Sequence, residues 1–180
     1  PDTTCFAFVG DSTFFASAIT GVVNAVYNQA NMVLVVLDNS TTAMTGHQPH
    51  PGTGRTVMGE IVQKINIEQV LRGIGVTEIE TINPLELEAS VSCVKRMAEK
   101  SGVRAIIFKA PCIAVTKPKA PLHVDQDSCI GCKKCIRDLG CPAIVMNDGK
   151  ICIDASMCTG CHLCSQVCPV CAIAGGDDYE

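Results

Sequence analysis

Over residues 5–108, short apolar runs of strand length alternate with stretches whose apolar positions recur every three or four residues. Cys5–Val9 predicts a first strand, and the periodicity from Thr13 to Gln29 predicts a helix after it. Val33–Leu37 is a second strand, followed by a loop rich in Gly, Pro and His from Ser40 to Thr56. A helix over Asn66–Gly73 and a strand over Val76–Ile82 come next. Asn83-Pro84 predicts the start of a helix running to Lys100. Asparagine caps first-turn amides with its side-chain oxygen, and proline lacks an amide that this position leaves unpaired. Val103–Phe108 closes the series. Strands alternating with helices imply an α/β fold, a parallel sheet covered by helices on both faces.

Periodicity stops at Lys117-Pro118-Lys119-Ala120-Pro121, which divides the chain into residues 1–117 and 118–180. Beyond it the sequence repeats itself. Val124-Asp125 followed by Cys129 matches Ile153-Asp154 followed by Cys158, an offset of 29 (158 − 129). Each half predicts a short strand ahead of a cysteine loop, making a small α+β unit. So few apolar residues build only a marginal core, so bound clusters must supply much of its stability.

Those loops carry the strongest chemical signal. Cys129-x2-Cys132-x2-Cys135 precedes Cys141-Pro142, and Cys158-x2-Cys161-x2-Cys164 precedes Cys168-Pro169. Thiolates three residues apart on a short loop reach three irons of one [4Fe–4S] cube, and in two-cluster ferredoxins the Cys-Pro cysteine of the other run supplies the fourth. Cys129, Cys132, Cys135 and Cys168 then hold one cluster, and Cys158, Cys161, Cys164 and Cys141 the second. Zinc has no use for a third cysteine at that spacing, and disulfides need an oxidising compartment that nothing here suggests. The two runs differ in one respect. Cys164-x3-Cys168 has the usual spacing, whereas five residues separate Cys135 from Cys141. Cys171 is the substitute ligand to weigh against Cys141. Cys5, Cys93, Cys112 and Cys152 have no partner spacing and suit apolar packing.

Charge sharpens this picture. Residues 1–120 carry ten Lys/Arg and ten Asp/Glu, whereas residues 121–180 carry four against eight, the whole net charge of −4. An acidic tail argues against a nucleic-acid partner. The longest apolar run, Met32–Leu37, is far short of a membrane span. A reducing cytoplasm is the compartment expected. The chain starts at Pro1 and soon enters a strand, which suggests a fragment or one piece of a larger assembly.

A second constellation lies in the first half. Gly10-Asp11-Ser12 ends the first strand and Asp38-Asn39 the second, at carboxyl ends of strands where open α/β sheets bind ligands. Asp11 and Asn39 offer oxygen ligands to one hard cation such as Mg²⁺, and the helix beginning at Thr13 points its amides at the same place. Taken alone, Gly-Asp-Ser is more often just a turn with a helix cap.

Gly10-Asp11-Ser12, then twenty-six residues, then Asn39 resembles the Mg–diphosphate motif of thiamine diphosphate enzymes. With the stretch Leu37–Gly54 and the two cysteine runs, the whole chain resembles the alpha subunit of the indolepyruvate:ferredoxin oxidoreductases. These belong to the thiamine diphosphate-dependent 2-oxoacid:ferredoxin oxidoreductase family. Ser12 stands where the general motif has a third-position glycine. The resemblance implies a thiamine diphosphate-binding domain followed by a two-cluster ferredoxin-like domain. It implies Mg²⁺ held by Asp11, Asn39 and the Thr41 carbonyl, with Gly10, Ser12, Gly46 and His47 lining the cofactor. The loop Thr45-Gly46-His47-Gln48 lies over the diphosphate, and His47 is a better catalytic candidate than His50; each is equally a loop hydrogen bonder. The implied activity is oxidative decarboxylation of aryl 2-oxo acids to acyl-CoA, with ferredoxin as electron acceptor. A pyruvate-type relative, or a stand-alone electron-transfer protein with an α/β docking module, are the alternatives. The implied partners also include a separate pyrimidine-binding domain that supplies a catalytic Glu, and a second, beta subunit, in an oligomer.

Overall fold

Strands β1 (Cys5–Gly10), β2 (Met32–Asp38), β3 (Glu78–Ile82) and β4 (Val103–Lys109) form one sheet in the order β1-β2-β4-β3, every pairing parallel. The structure is a computed structural model and describes residues 3–175. It separates into Pro1–Thr116, which holds this sheet, and Lys117–Glu180. The central strands β2 and β4 are buried on both faces and so read as unbroken apolar runs. Leu34, Val36, Ala105 and Ile107 face one core with Phe14, Val22 and Leu71. Val33, Val35 and Ile106 face the other with Cys93 and Met97. Helices α2 (Ile19–Tyr27) and α3 (Ile67–Ile74) cover the first face, and α4 (Leu87–Glu99) covers the second.

Several boundaries differ from the periodicity; β3, for one, begins at Glu78 rather than at Val76. The first helix starts at once on Asp11 as α1 (Asp11–Thr13), widens into a π-turn over Phe14–Ala18, and continues as α2. Wide turns of this kind collect at functional sites. Here Phe14 enters the core while the next ring, Phe15, stacks on His50. Helix α4 starts at Leu87 rather than at Pro84. The Asn83 side-chain oxygen accepts from the Leu85 amide (3.0 Å), and its carbonyl accepts from the Glu86 amide (3.1 Å) and the Ser90 hydroxyl (3.2 Å). Such local bonds favour a turn over a helical first residue.

The second unit repeats in structure as it does in sequence. Strand β5 (Leu122–Val124) pairs antiparallel with β8 (Ile173–Gly175), and β6 (Ile144–Asn147) with β7 (Lys150–Ile153). The Cys129 amide donates to the Asp125 carbonyl and the Cys158 amide to the Asp154 carbonyl, both at 3.0 Å. Lys133 (φ 60°) and His162 (φ 61°) are both left-handed, each opening a short helix, α5 (Lys134–Leu139) and α6 (Leu163–Val167). The Lys117–Pro121 segment packs inside this unit: the Lys119 amide donates to the Thr159 carbonyl, 3.3 Å away. Among the described residues no helix is long and apolar enough to cross a membrane.

Candidate functional site

The parallel register brings Gly10 and Leu37 side by side, so the residues after them meet at the carboxyl end of the sheet. Asp11 is 2% exposed. Its Oδ1 accepts from the Ser12 amide and its Oδ2 from the Ser40 amide, each at 2.8 Å, which ties the head of α1 to the end of β2. Burial pushes the Asp11 carboxyl above its ordinary value, against the lowering effects of the Ser12 amide and His50. Asn39 is at the same place, its Oδ1 accepting from the Thr41 amide at 3.2 Å, and Thr41 is buried. Ser12 accepts from the Thr42 hydroxyl at 3.0 Å. Gly10, Asp11, Ser12, Asn39 and Thr41 are therefore gathered at two neighbouring strand ends.

The following loop closes on itself. Thr42 and Gln48 form a bridge, Gly46 takes a left-handed φ of 112°, and the His47 amide donates to the Thr42 carbonyl at 3.0 Å. His47, also left-handed at φ 63°, has its side chain exposed. His50 turns inward instead. Its Nδ1 accepts from the Gly52 amide (3.2 Å), and its ring stacks on Phe15 with centroids 5.8 Å apart. Its Nε2 is 3.1 Å from Asp11 Oδ2 but outside hydrogen-bond alignment, with no other partner among the described residues. From sequence, His50 is either a loop hydrogen bonder or a catalytic candidate second to His47. The flanking Pro49 and Pro51, which restrict the loop, were the one available signal.

A cavity of about 410 Å³ opens beside these residues, at the ends of β2, β3 and β4 and the start of α3. Asp38, His50, Lys64, Asn66, Thr81 and Lys109 are among its walls. Lys109 Nζ is 3.5 Å from Asp38 Oδ2. Spacing alone had not marked this cavity.

In the second unit, Cys129, Cys132, Cys135 and Cys168 line one small cavity with Val124, Ile151 and Ile173. Burial raises the Cys135 thiol above its ordinary value, with Cys132 and Cys168 adding to the effect. Burial likewise pushes the Cys164 thiol up to about 11, with Cys161, Cys158 and Cys141 adding to it. Cys168 of the second run thus borders the cavity of the first, and Cys141 of the first run is near enough to Cys164 to act on it electrostatically. Cys171 is exposed. The Cys158 sulfur accepts from the Leu122 amide (3.4 Å) and the Cys168 sulfur from the Ala172 amide (3.3 Å). Among the described residues no three His, Cys, Asp or Glu side chains close on a single metal ion.

Known proteins share both halves. Residues 122–169 match the family profile described as a 4Fe-4S dicluster domain. The indolepyruvate oxidoreductase subunit IorA of Methanothermobacter thermautotrophicus is 46% identical over 93% of this chain and 27% of its own length. The subunit of that name from Archaeoglobus fulgidus is 40% identical over 93% of this chain and 28% of its own length. A solved thiamin diphosphate-dependent enzyme from Mycobacterium smegmatis matches 61% of this chain and 18% of its own, at 21% identity and a TM-score of 0.43. The chain therefore spans about a quarter of the curated relatives it matches. Residues 1–108 match the profile described as the C-terminal TPP-binding domain of thiamine pyrophosphate enzymes, and the chain belongs to that family, with likeness to the IorA subunits along nearly all its length.

Proposed function

We propose that this chain is the diphosphate-binding and electron-relay part of a thiamine diphosphate-dependent 2-oxoacid:ferredoxin oxidoreductase acting on aryl 2-oxo acids. The observation that carries the proposal is the pairing, in one chain, of a buried Asp11 tied to the end of β2 with two cysteine runs of ferredoxin spacing, the first of which lines a small cavity with Cys168. Oxygen donors suit Mg²⁺, and a bound cation offsets the burial that disfavours the Asp11 carboxylate. The residues fit the group on both counts. Asp11, the Asn39 side chain and the Thr41 carbonyl are the proposed Mg²⁺ ligands. Gly10, Ser12 and Gly46 are the close backbone around the diphosphate. Thiamine diphosphate, when bound, supplies the carbon that adds to the keto group and takes up the electron pair left as CO₂ departs.

The protein's own share is to fix, shield and conduct. Asp11 would hold the Mg²⁺ that offsets the negative charge of the diphosphate, and the Thr42–Gln48 bridge holds the loop at that place. The exposed His47 is the candidate acid–base group toward the open side. Cys129, Cys132, Cys135 and Cys168 would hold one [4Fe–4S] cluster and Cys158, Cys161, Cys164 and Cys141 the other, groups that would supply single-electron transfer toward ferredoxin. A pyrimidine-binding domain with a catalytic Glu and a beta subunit complete the assembly, and coenzyme A takes the acyl group. The aryl preference rests on the name of the relatives. Asp11→Asn in the complete protein tests the assignment. Mg²⁺-dependent thiamine diphosphate binding should be lost with iron content unchanged. Unaltered affinity would return Gly10-Asp11-Ser12 to an ordinary turn.

A further inference from the structure

His50 is more constrained than any loop hydrogen bonder needs to be. Its side chain is 4% exposed. One ring nitrogen, Nδ1, is committed as an acceptor to the Gly52 amide, which leaves the proton of the neutral ring on Nε2. Phe15 lies against one face, its plane 29° from that of the imidazole. Gly52 bounds the ring as well: a Cβ there would be 3.0 Å from both His50 Cε1 and Phe15 Cε2. A buried donor with no aligned acceptor costs free energy; among the described residues Nε2 has no aligned hydrogen-bond partner, and Asp11 Oδ2 approaches it to 3.1 Å.

The oxygen count on Asp11 gives that arrangement a purpose. Each carboxylate oxygen has two lone pairs. The Ser40 amide and His50 Nε2 occupy the surroundings of Oδ2, whereas the Ser12 amide is the recorded donor to Oδ1. We propose that His50 is a positioning residue, braced by Phe15 and Gly52, that holds Asp11 by Oδ2 so that Oδ1 is the atom presented to the cation. Ligand orientation by such outer contacts is worth roughly ten- to a hundredfold in metal affinity. The inference rests on the proposed Mg²⁺ role of Asp11 and adds the residue that aims it.

The test compares His50→Phe, His50→Gln and Asp11→Asn in the complete protein, following thiamine diphosphate binding by calorimetry across a Mg²⁺ titration. Iron content and thermal midpoint are measured alongside. His50→Phe keeps an aromatic ring against Phe15 but has no donor, and should weaken the Mg²⁺ dependence about tenfold or more without loss of iron. His50→Gln places an amide donor near the position of Nε2 and should restore most of that affinity. Rescue separates orientation from packing, because glutamine cannot reproduce the stacked ring. Gly52→Ala pushes the ring while keeping His50, and should weaken Mg²⁺ dependence in the same direction, so the comparison survives if His50→Phe fails to fold. Wild-type Mg²⁺ dependence in His50→Phe or in Gly52→Ala, or a glutamine variant as weak as phenylalanine, overturns the positioning role. If Asp11→Asn also binds normally, the Mg²⁺ assignment itself is what fails.

Discussion

Cys168 follows α6 directly, whereas the equivalent position of the first half, Leu139, is still the last residue of α5. Gly140 then adopts a left-handed φ of 58°, and the chain turns to present Cys141. The extra two residues between Cys135 and Cys141 are thus a longer helix and its glycine cap. Cys141→Ser is expected to damage the cluster of Cys158, Cys161 and Cys164 while sparing that of Cys129, read by electron paramagnetic resonance of the reduced protein. Loss of the Cys129 cluster instead would reverse the pairing, and damage from Cys171→Ser alone would name the substitute ligand. Glycines of the repeat give a second residue-level contrast. Gly131 and Gly160 have matching φ of 65° and 67°, but a Cβ at Gly160 would come within 2.6 Å of the Ala120 carbonyl oxygen, and one at Gly131 meets nothing within 4 Å. Gly131→Ala should cost only the left-handed strain, about 1–2 kcal/mol. Gly160→Ala should cost more in a denaturant melt of the cluster-loaded protein; equal losses would show that the 117–121 segment yields freely. The ligand spacing was legible in the sequence because it is local. His50 was not, because its contact with Asp11 joins residues thirty-nine apart (50 − 11) through the fold.

At the scale of elements, β2 and β4 were legible because burial on both faces leaves an unbroken apolar run, and their neighbours followed from alternation. What escaped was decided by competition between bonds of similar strength. Asn83 could cap a helix or close a turn, and its bonds to Leu85, Glu86 and Ser90 settle on the turn. Lys117–Pro121 has no periodicity because its backbone docks on the second cysteine loop rather than in a helix or strand. Helix α4 is also tied to β3 electrostatically. Arg96 Nη2 is 2.5 Å from Glu80 Oε2, and this bond holds the Glu80 carboxyl below its ordinary value of 4.5. A carboxyl depressed in the folded state adds stability at pH above its unfolded value, and that stability is lost as pH falls through the folded value. Wild-type stability should therefore fall more steeply below about pH 4.5 than that of Arg96→Gln, measured by urea melts across pH. Because Arg96 is half exposed, the difference should shrink in high salt. Parallel pH profiles would remove the tie between α4 and β3 from the account.

At the scale of the whole molecule, the chain pairs a TPP-binding domain with a 4Fe-4S dicluster domain but covers only 27% of a relative such as the Methanothermobacter subunit. The carboxylates nearest the cavity are already engaged: Asp38 faces Lys109 at 3.5 Å, and Glu68 bonds Arg72 at 2.8 Å. Neither is placed to serve as the positioned acid that activates an aminopyrimidine, and general acid–base help of that kind contributes roughly a hundred- to ten-thousandfold. In the proposed assembly the pyrimidine-binding portion would also position the substrate. The 180 residues alone, prepared without oxygen, should therefore hold about eight irons and eight acid-labile sulfides, accept electrons from dithionite, and leave every 2-oxo acid unoxidised. Zinc in place of iron and sulfide would end the relay assignment. Adding the pyrimidine-binding portion and the beta subunit should then restore coenzyme A-dependent, viologen-coupled oxidation of an aryl pyruvate. Turnover by the chain unaided would mean that the acid lies within it. Glu68, released from Arg72 at the mouth of the cavity, would then be the first residue to replace.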